Sequence, residues 1–363
     1  MRPTPIALGI LFATGLLLAI PGDPRAQEAG SSTGEITEPV QRGIERGLEY
    51  LVGLQDPSGA FGSKYKVAST SLACLAIMAN GTVNNRGPYG QALERGLGYI
   101  LSDQVARPVP RGGVFLNDGE VAGRMHSHGL ATLFLAEIYG MIPRYWNPET
   151  HAKVERTLRG AVELSIKSQT EDGGWGYYHH GDPDFGSDES SVTITQLQAL
   201  RAARNAGLAV PAASISRAIK YVRRCANLDG SFKYSLKMKI NRPSYELTAA
   251  AVSTLNASGV YHSAELERGL THMRRTFREY KNPALAASNY YYYGNFYAAQ
   301  AMFQAGGKDW SFWFSRAKED YLRKQRKYGN HWDSPRGFGQ AYATAMALLV
   351  LQIPYRYLPI FQR

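Results

Sequence analysis

The sequence predicts an all-α protein, a single-domain (α/α)6 toroid of six outer/inner helix pairs. Three observations predict it. A helix–turn–helix unit recurs along nearly the whole chain, and glycines close most units. Helices with one charged face also alternate with helices that are apolar all round.

Before the repeats comes a targeting segment. Arg2 supplies a positive start, and residues 6–20 (IALGILFATGLLLAI) form an apolar run that Pro21-Gly22 breaks. Gly22, Ala26 and Ala29 offer cleavage points. Residues 1–29 therefore read as a secretory signal peptide, with an uncleaved N-terminal anchor as the alternative, and the protein is expected to be periplasmic or secreted. Residues 30–37 read as a linker, and residues 38–363 as the toroid.

The first outer helix carries Arg46-Gly47-Leu48-Glu49-Tyr50-Leu51, then Gln55 and the turn Gly59-Ala60-Phe61. The second carries Arg95-Gly96-Leu97-Gly98-Tyr99-Ile100, then Gln104 and Gly112-Gly113-Val114-Phe115. The third spans Val154 to Gln169 and ends in Asp172-Gly173-Gly174-Trp175-Gly176. The fourth runs Ile215 to Asn227, then Asp229-Gly230-Ser231-Phe232. The fifth, Glu265 to Tyr280, lacks a clear glycine–aromatic turn, and the sixth, Trp313 to Gln325, leads to Gly329-Asn330-His331-Trp332. Inner helices follow at 69–80, 128–139, 192–206, 246–258, 295–305 and 340–352. Glycines 81, 140, 207, 259 and 306 stand where a left-handed C-terminal residue is wanted. Closing the ring removes the ends that an open solenoid must cap.

Arg46-Gly47, Tyr50-Leu51, Gln55 and Gly59-Ala60-Phe61 resemble the glutamine–tryptophan repeat of squalene and oxidosqualene cyclases. Gln169 with Gly173-Gly174-Trp175, followed by Thr195-Gln196-Leu197-Gln198-Ala199-Leu200, is closer still. The resemblance covers roughly residues 38–358 and implies the toroid shared by terpenoid cyclases and protein prenyltransferases. It does not bring their chemistry. The Asp-x-Asp-Asp acid of the cyclases has only Asp182-Pro183-Asp184-Phe185 as a counterpart. Asp188-Glu189 reads as helix capping, with a catalytic role as the alternative. The prenyltransferase zinc pair needs an Asp two residues before a Cys, where Leu72 and Arg223 stand before Cys74 and Cys225. The Cys-Gly-Glu-Gln of thioester proteins is absent. No metal or cofactor is expected.

With two cysteines the chain is not a disulfide scaffold, and Cys74 reads as core; a Cys74–Cys225 bridge stays open. Lysine and arginine exceed the acids by eleven, concentrated in 217–239, 268–281 and 316–327. That excess reads as solvated outer helix faces, or as attraction to an anionic membrane, an envelope polymer or a diphosphate. No motif points to nucleic acid.

Candidate site residues lie where inner helices begin. His126, Thr193, Tyr245 and Tyr292 each stand fourteen residues before their closing glycine and are expected at one level of the cavity. Arg124 and His128 flank His126, and Glu246 follows Tyr245. His126 and His128 do not share a helix face and converge only if the first precedes the helix. Tyr245-Glu246 is a proton-transfer pair or a tyrosine packed beside an N-terminal acid. His126, His128, Tyr245 and Glu246 are the catalytic candidates. Arg124, Trp175, Asp188, Tyr292, Asn295, His331 and Trp332 are the ligand-binding candidates. Of Tyr290 to Tyr293 at least one should line the cavity, and Tyr177-Tyr178-His179-His180 is a lid or a plain polar loop. The proline-rich end, 354–361, is expected to pack across the closure of first and last repeats.

Three functions fit. The first is an apolar cavity for an isoprenoid-like or other hydrophobic ligand or lipid. The second is an acid/base enzyme of lyase or hydrolase type, and the third a non-catalytic scaffold or peptide-binding module.

Overall fold

A computed structural model describes residues 34–83, 87–121, 123–143, 147–238, 243–279, 288 and 290–362. Residues 1–29, expected to be a signal peptide, lie outside the described residues, as does the expected linker up to residue 33. Among the described residues there are twelve α-helices. The outer ones are α1 (Glu38–Gly53), α3 (Gly90–Ile100), α5 (Pro148–Lys167), α7 (Ala212–Arg224), α9 (Ala264–Glu279) and α11 (Gly307–Tyr328). The inner ones are α2 (Lys66–Ala79), α4 (Arg124–Met141), α6 (Ser190–Asn205), α8 (Tyr245–Ala257), α10 (Tyr291–Ala305) and α12 (Gln340–Gln352). Each inner helix packs on the next, and α12 returns to α2, so the ring closes as an α/α toroid.

Burial follows composition. Helix α2 is buried at thirteen of its fourteen positions. Helix α1 buries only the stripe Val40, Gly43, Ile44, Gly47, Leu48 and Leu51, spaced by three and four.

The turns show why the repeat has its residues. Trp175 N–H donates to Thr193 Oγ1 at 2.9 Å and its indole to Ser165 O at 2.7 Å. Trp332 does the same with Thr344 Oγ1 (3.2 Å) and Tyr321 O (2.8 Å). Phe61 and Phe232 donate to Thr70 and Thr248. The repeat glutamine ties its own turn to the next outer helix: Gln169 Nε2 donates to Gly173 O and Ser214 O, each at 2.9 Å. Gln325 does this across the closure, to Gly43 O at 2.8 Å. Gly173 has φ +93° and a Cβ there would lie 2.6 Å from Arg217 O, so only glycine fits. The Gly96 Cβ position lies 2.5 Å from Cys74 Sγ, which is how outer helix α3 approaches α2.

Two details differ from the sequence reading, and the cysteine pairing it left open is answered. Inner helices begin up to four residues earlier, so His126 and His128 both lie inside α4. A two-stranded hairpin, β1 (Ala106–Pro108) with β2 (Val114–Leu116), forms over the Gly112-Gly113 turn. Cys74 and Cys225 are both buried and free, so no bridge joins them. The chain end passes the first–last junction, where Tyr357 packs against Gly81 at the end of α2, and runs on to α4 and α10: Ile360 N–H meets Glu137 at 3.3 Å, and Gln304 donates to Gln362 O at 3.2 Å. Closure is also made by Gln325, by Tyr50 OH on Gln340 (2.6 Å) and by Gln352 on Ala76 O (3.0 Å). No described helix is long and apolar enough to cross a membrane.

Candidate active site at the barrel mouth

Glu189 is the residue around which the mouth is organised. It sits at the N-cap of α6, where its Oε1 accepts from Val192 N–H at 2.7 Å and its Oε2 from Ser191 N–H at 2.9 Å. Its position is set by the third repeat: Glu189 N–H donates to Trp175 O at 2.9 Å, pinning the base of loop 176–188 beside the aromatic turn. A helix N-terminus and several donors favour the carboxylate. Burial wins against them, and the Glu189 carboxyl is pushed up to about 7.

Three polar side chains surround it. Ser191 Oγ is 2.8 Å from the carboxylate and 3.1 Å from His126 Nε2. His126 Nε2 lies 3.7 Å from Glu189 Oε1, with the Glu189 side chain 5% exposed and that of His126 24%. Despite that opening, burial pushes His126 down to about 4, so the ring is neutral near pH 7. When Glu189 is ionised, the Ser191 hydroxyl donates to it, which leaves His126 Nε2–H to donate to Ser191. Tyr234, from the next repeat, hydrogen-bonds Glu189. Its hydroxyl is 2.8 Å from that of Tyr177, an exposed residue. Burial first, then the Glu189 charge, raises both phenols above their ordinary range. Hydroxyls thus run from solvent at Tyr177 through Tyr234 to the buried acid.

Aromatic rings frame this centre. Tyr177 lies 5.9 Å from His126, and Phe338 lies 5.6 Å from Tyr65, 5.3 Å from Tyr342 and 6.3 Å from Tyr290. Of the tyrosine run, Tyr293 turns inward, 4.9 Å from Tyr297. Tyr297 in turn hydrogen-bonds Thr195. Gln198 of α6 donates to Gln300 of α10 at 2.9 Å across α8, which is rich in small residues (Ala249–Ala251, Ser253, Thr254). Side chains therefore fill the ring below the mouth. A hollow of about 260 Å³ opens on the outer flank, lined by Val162, Ile166, Lys167, Leu208 and Pro211.

The residues expected at the site divide. His126 is at it, beside a partner the sequence reading assigned to capping. Arg124 stands at the rim, paired with Asp182 at 2.7 Å and 5.5 Å from the Tyr178 ring, and so holds the 176–188 loop. Glu246 is on the mouth side of α8 but takes a hydrogen bond from Ser288 and packs on Gly294. The other candidates are structural. His128 lies one residue pair further along α4 and points away from His126. It accepts from Leu116 N–H at 3.2 Å and reaches Ser165 Oγ at 3.1 Å, doing for the second repeat what threonine does elsewhere. Tyr245 faces outward and accepts from the Trp313 indole at 3.3 Å. Tyr292 packs on Tyr321, also outward. Asp188 is buried on Tyr221 OH (2.8 Å) and Thr170 Oγ1 (3.2 Å), locking α7 to the turn. Asn295 bonds Tyr291 O in its own helix, and Trp175 and Trp332 are turn anchors. His331 stacks on Tyr50 at 4.3 Å, at the ring closure.

The sequence reading gives Glu189 as a cap or a catalytic acid and Tyr293 as one of four tyrosines of which one lines the cavity, omits Ser191 and Tyr234, and does not bring the four together. Counting from the threonine that takes the turn N–H would have found two of the four. Two residues before Thr193, Thr344 and His128 stand Ser191, Tyr342 and His126; Tyr293 has that place before Asn295. Among the described residues no cluster of His, Cys, Asp and Glu could hold a metal ion.

The chain matches no protein-family profile and no curated protein sequence. Solved structures share its fold. A GH76 α-mannanase from Bacteroides thetaiotaomicron superposes with TM-score 0.62 at 12% identity, over 90% of this chain and 99% of that one. A D-mannose isomerase gives 0.55 at 11% identity over 90% and 99%. A protein from Actinoplanes gives 0.55 at 16% over 88% and 99%. The molecule is thus an α/α toroid of the architecture found in these proteins.

Proposed function

We propose that the protein is a proton-transfer enzyme acting at the barrel mouth on a carbohydrate-like substrate, with Glu189 as its acid/base group. The observation that carries this is the buried Glu189 carboxyl, pushed up to about 7 and 3.7 Å from a neutral His126. A group that titrates near neutral pH both accepts and returns protons efficiently. The carboxylate takes a proton from a carbon next to a substrate carbonyl or carboxyl, leaving an enediolate-type anion. His126 and Ser191 hold the carboxylate's orientation, and Tyr234 and Tyr177 exchange its proton with solvent. Aromatic faces at the rim suit the C–H faces of sugar rings. The mannanase and mannose isomerase among the structural neighbours add support for a sugar.

Hydrolysis by a carboxylate pair has less support, because the adjacent acids Asp182 and Asp188 are committed to Arg124 and to Tyr221. An isoprenoid-like ligand also has less, since hydroxyls and amides fill the ring where an apolar chain would lie. Kinship with the cyclase and prenyltransferase repeat remains a proposal about the turns alone. Export to the periplasm or beyond is part of the same proposal and rests on residues 1–29.

The test is incubation in D2O with a panel of neutral and acidic sugars, followed by NMR. Wild type should place deuterium on a substrate carbon, at a rate that falls by about 100-fold or more in Glu189→Gln. No incorporation in any sugar, or incorporation indifferent to the substitution, would overturn the reading.

A further inference from the structure

Charge is distributed unevenly around the toroid. Outer helices α7, α9 and α11 carry fifteen Lys and Arg against six Asp and Glu, whereas α1, α3 and α5 carry seven against seven. These are consecutive outer positions, so one flank of the ring holds most of the chain's excess of eleven and the other is neutral. An even coat for solubility would not separate this way.

A second observation lies at the same place. The described chain enters the fold on α11: the Trp310 indole donates to Glu35 Oε1 at 2.5 Å and Lys318 Nζ to Glu35 O at 3.4 Å. Kept as the uncleaved N-terminal anchor, the apolar run 6–20 would end fourteen residues before Gly34. A third is the pairing of rings with cations on α11. Arg316 lies 3.8 Å over Phe312, and Lys327 5.3 Å from the exposed Tyr328. Rings beside basic side chains suit the headgroup layer of a bilayer.

We infer that the α11 side of the basic flank, with its neighbours α9 and α7, docks on a bilayer containing acidic phospholipid. The Phe312 and Tyr328 rings beside basic side chains suit a bilayer interface better than a soluble polyanion. Docking leaves the mouth, at the end of the barrel, open to the side. This is independent of the proposed chemistry.

The test sediments the full chain with phosphatidylcholine vesicles, with and without phosphatidylglycerol. Binding should need phosphatidylglycerol and weaken as salt is raised. Arg326→Glu with Lys327→Glu should weaken it by at least about tenfold, and Lys153→Glu with Arg156→Glu on α5 by less than about twofold. All four residues are exposed, and circular dichroism confirms each variant's fold. Equal losses in the two pairs would reduce the effect to net charge and overturn the inference. So would equal binding to phosphatidylcholine alone, which the apolar segment would explain, or binding to soluble polyphosphate with none to vesicles.

Discussion

Replacing Glu189 by glutamine separates a buried acid from an ordinary helix cap. A carboxyl raised from 4.5 to about 7 prefers its neutral form in the folded state by about 3 kcal/mol. The sign follows from proton binding. The folded state holds the Glu189 proton more tightly than the unfolded chain, so wild type is favoured below pH 4.5. It loses that advantage as pH rises towards 7. The glutamine variant would carry no such dependence while still offering a carbonyl oxygen to the α6 amides. Urea unfolding of both proteins from pH 4 to pH 8 should therefore show stability moving in favour of Glu189→Gln by about 3 kcal/mol. Glu137, pushed up to about 8 by burial, is common to both proteins and cancels in the difference. The ordinary-cap alternative predicts the reverse: a carboxylate ionised throughout makes the substitution costly by about 1 kcal/mol at every pH. Parallel stability curves would refute the buried-acid argument.

Five other substitutions test the scaffold and the relay. Gly96→Ala should cost about 1–3 kcal/mol, because its methyl would sit 2.5 Å from Cys74 Sγ. Cys74→Ala in the same chain should recover much of that, and a double-mutant cycle by urea unfolding without coupling would remove the explanation. His128→Gln should destabilise by about 1–3 kcal/mol through the Leu116 and Ser165 hydrogen bonds. His126→Gln should instead leave the unfolding midpoint nearly unchanged while lowering deuterium incorporation; the opposite assignment of effects would show that the two histidines had been given each other's roles. Tyr177→Phe cuts the hydroxyl chain at its solvent end. Its deuterium wash-in should fall about tenfold with no change in fold, and an undiminished rate would show that Glu189 exchanges protons by another path.

What the sequence reveals and what it hides follow from the range of the forces involved. The toroid is legible because its determinants are local and repeated: Gln169, Gly173 and Trp175 satisfy one turn and its neighbour, and Gln325, Gly329 and Trp332 repeat the arrangement. The inward register is less legible. Thr193 lies fourteen residues before its closing glycine and Thr248 eleven, because α6 runs on at the foot of the barrel. Counting from the foot therefore puts Tyr245 and Tyr292 at the site, when both face outer helix α11. Glu189 is harder again, since its reading as a cap is correct and incomplete. Two amides of α6 do bond it, and a helix N-terminus alone would hold its carboxyl low. Its acidity is reversed by what covers it: loop 176–188 pinned at Trp175, Tyr234 from the fourth repeat, and His126 from the second. These groups are separated by dozens of residues and meet only when the ring is assembled. A residue that caps a helix by local rules becomes a titrating acid by non-local ones, and the proposed function rests on that difference.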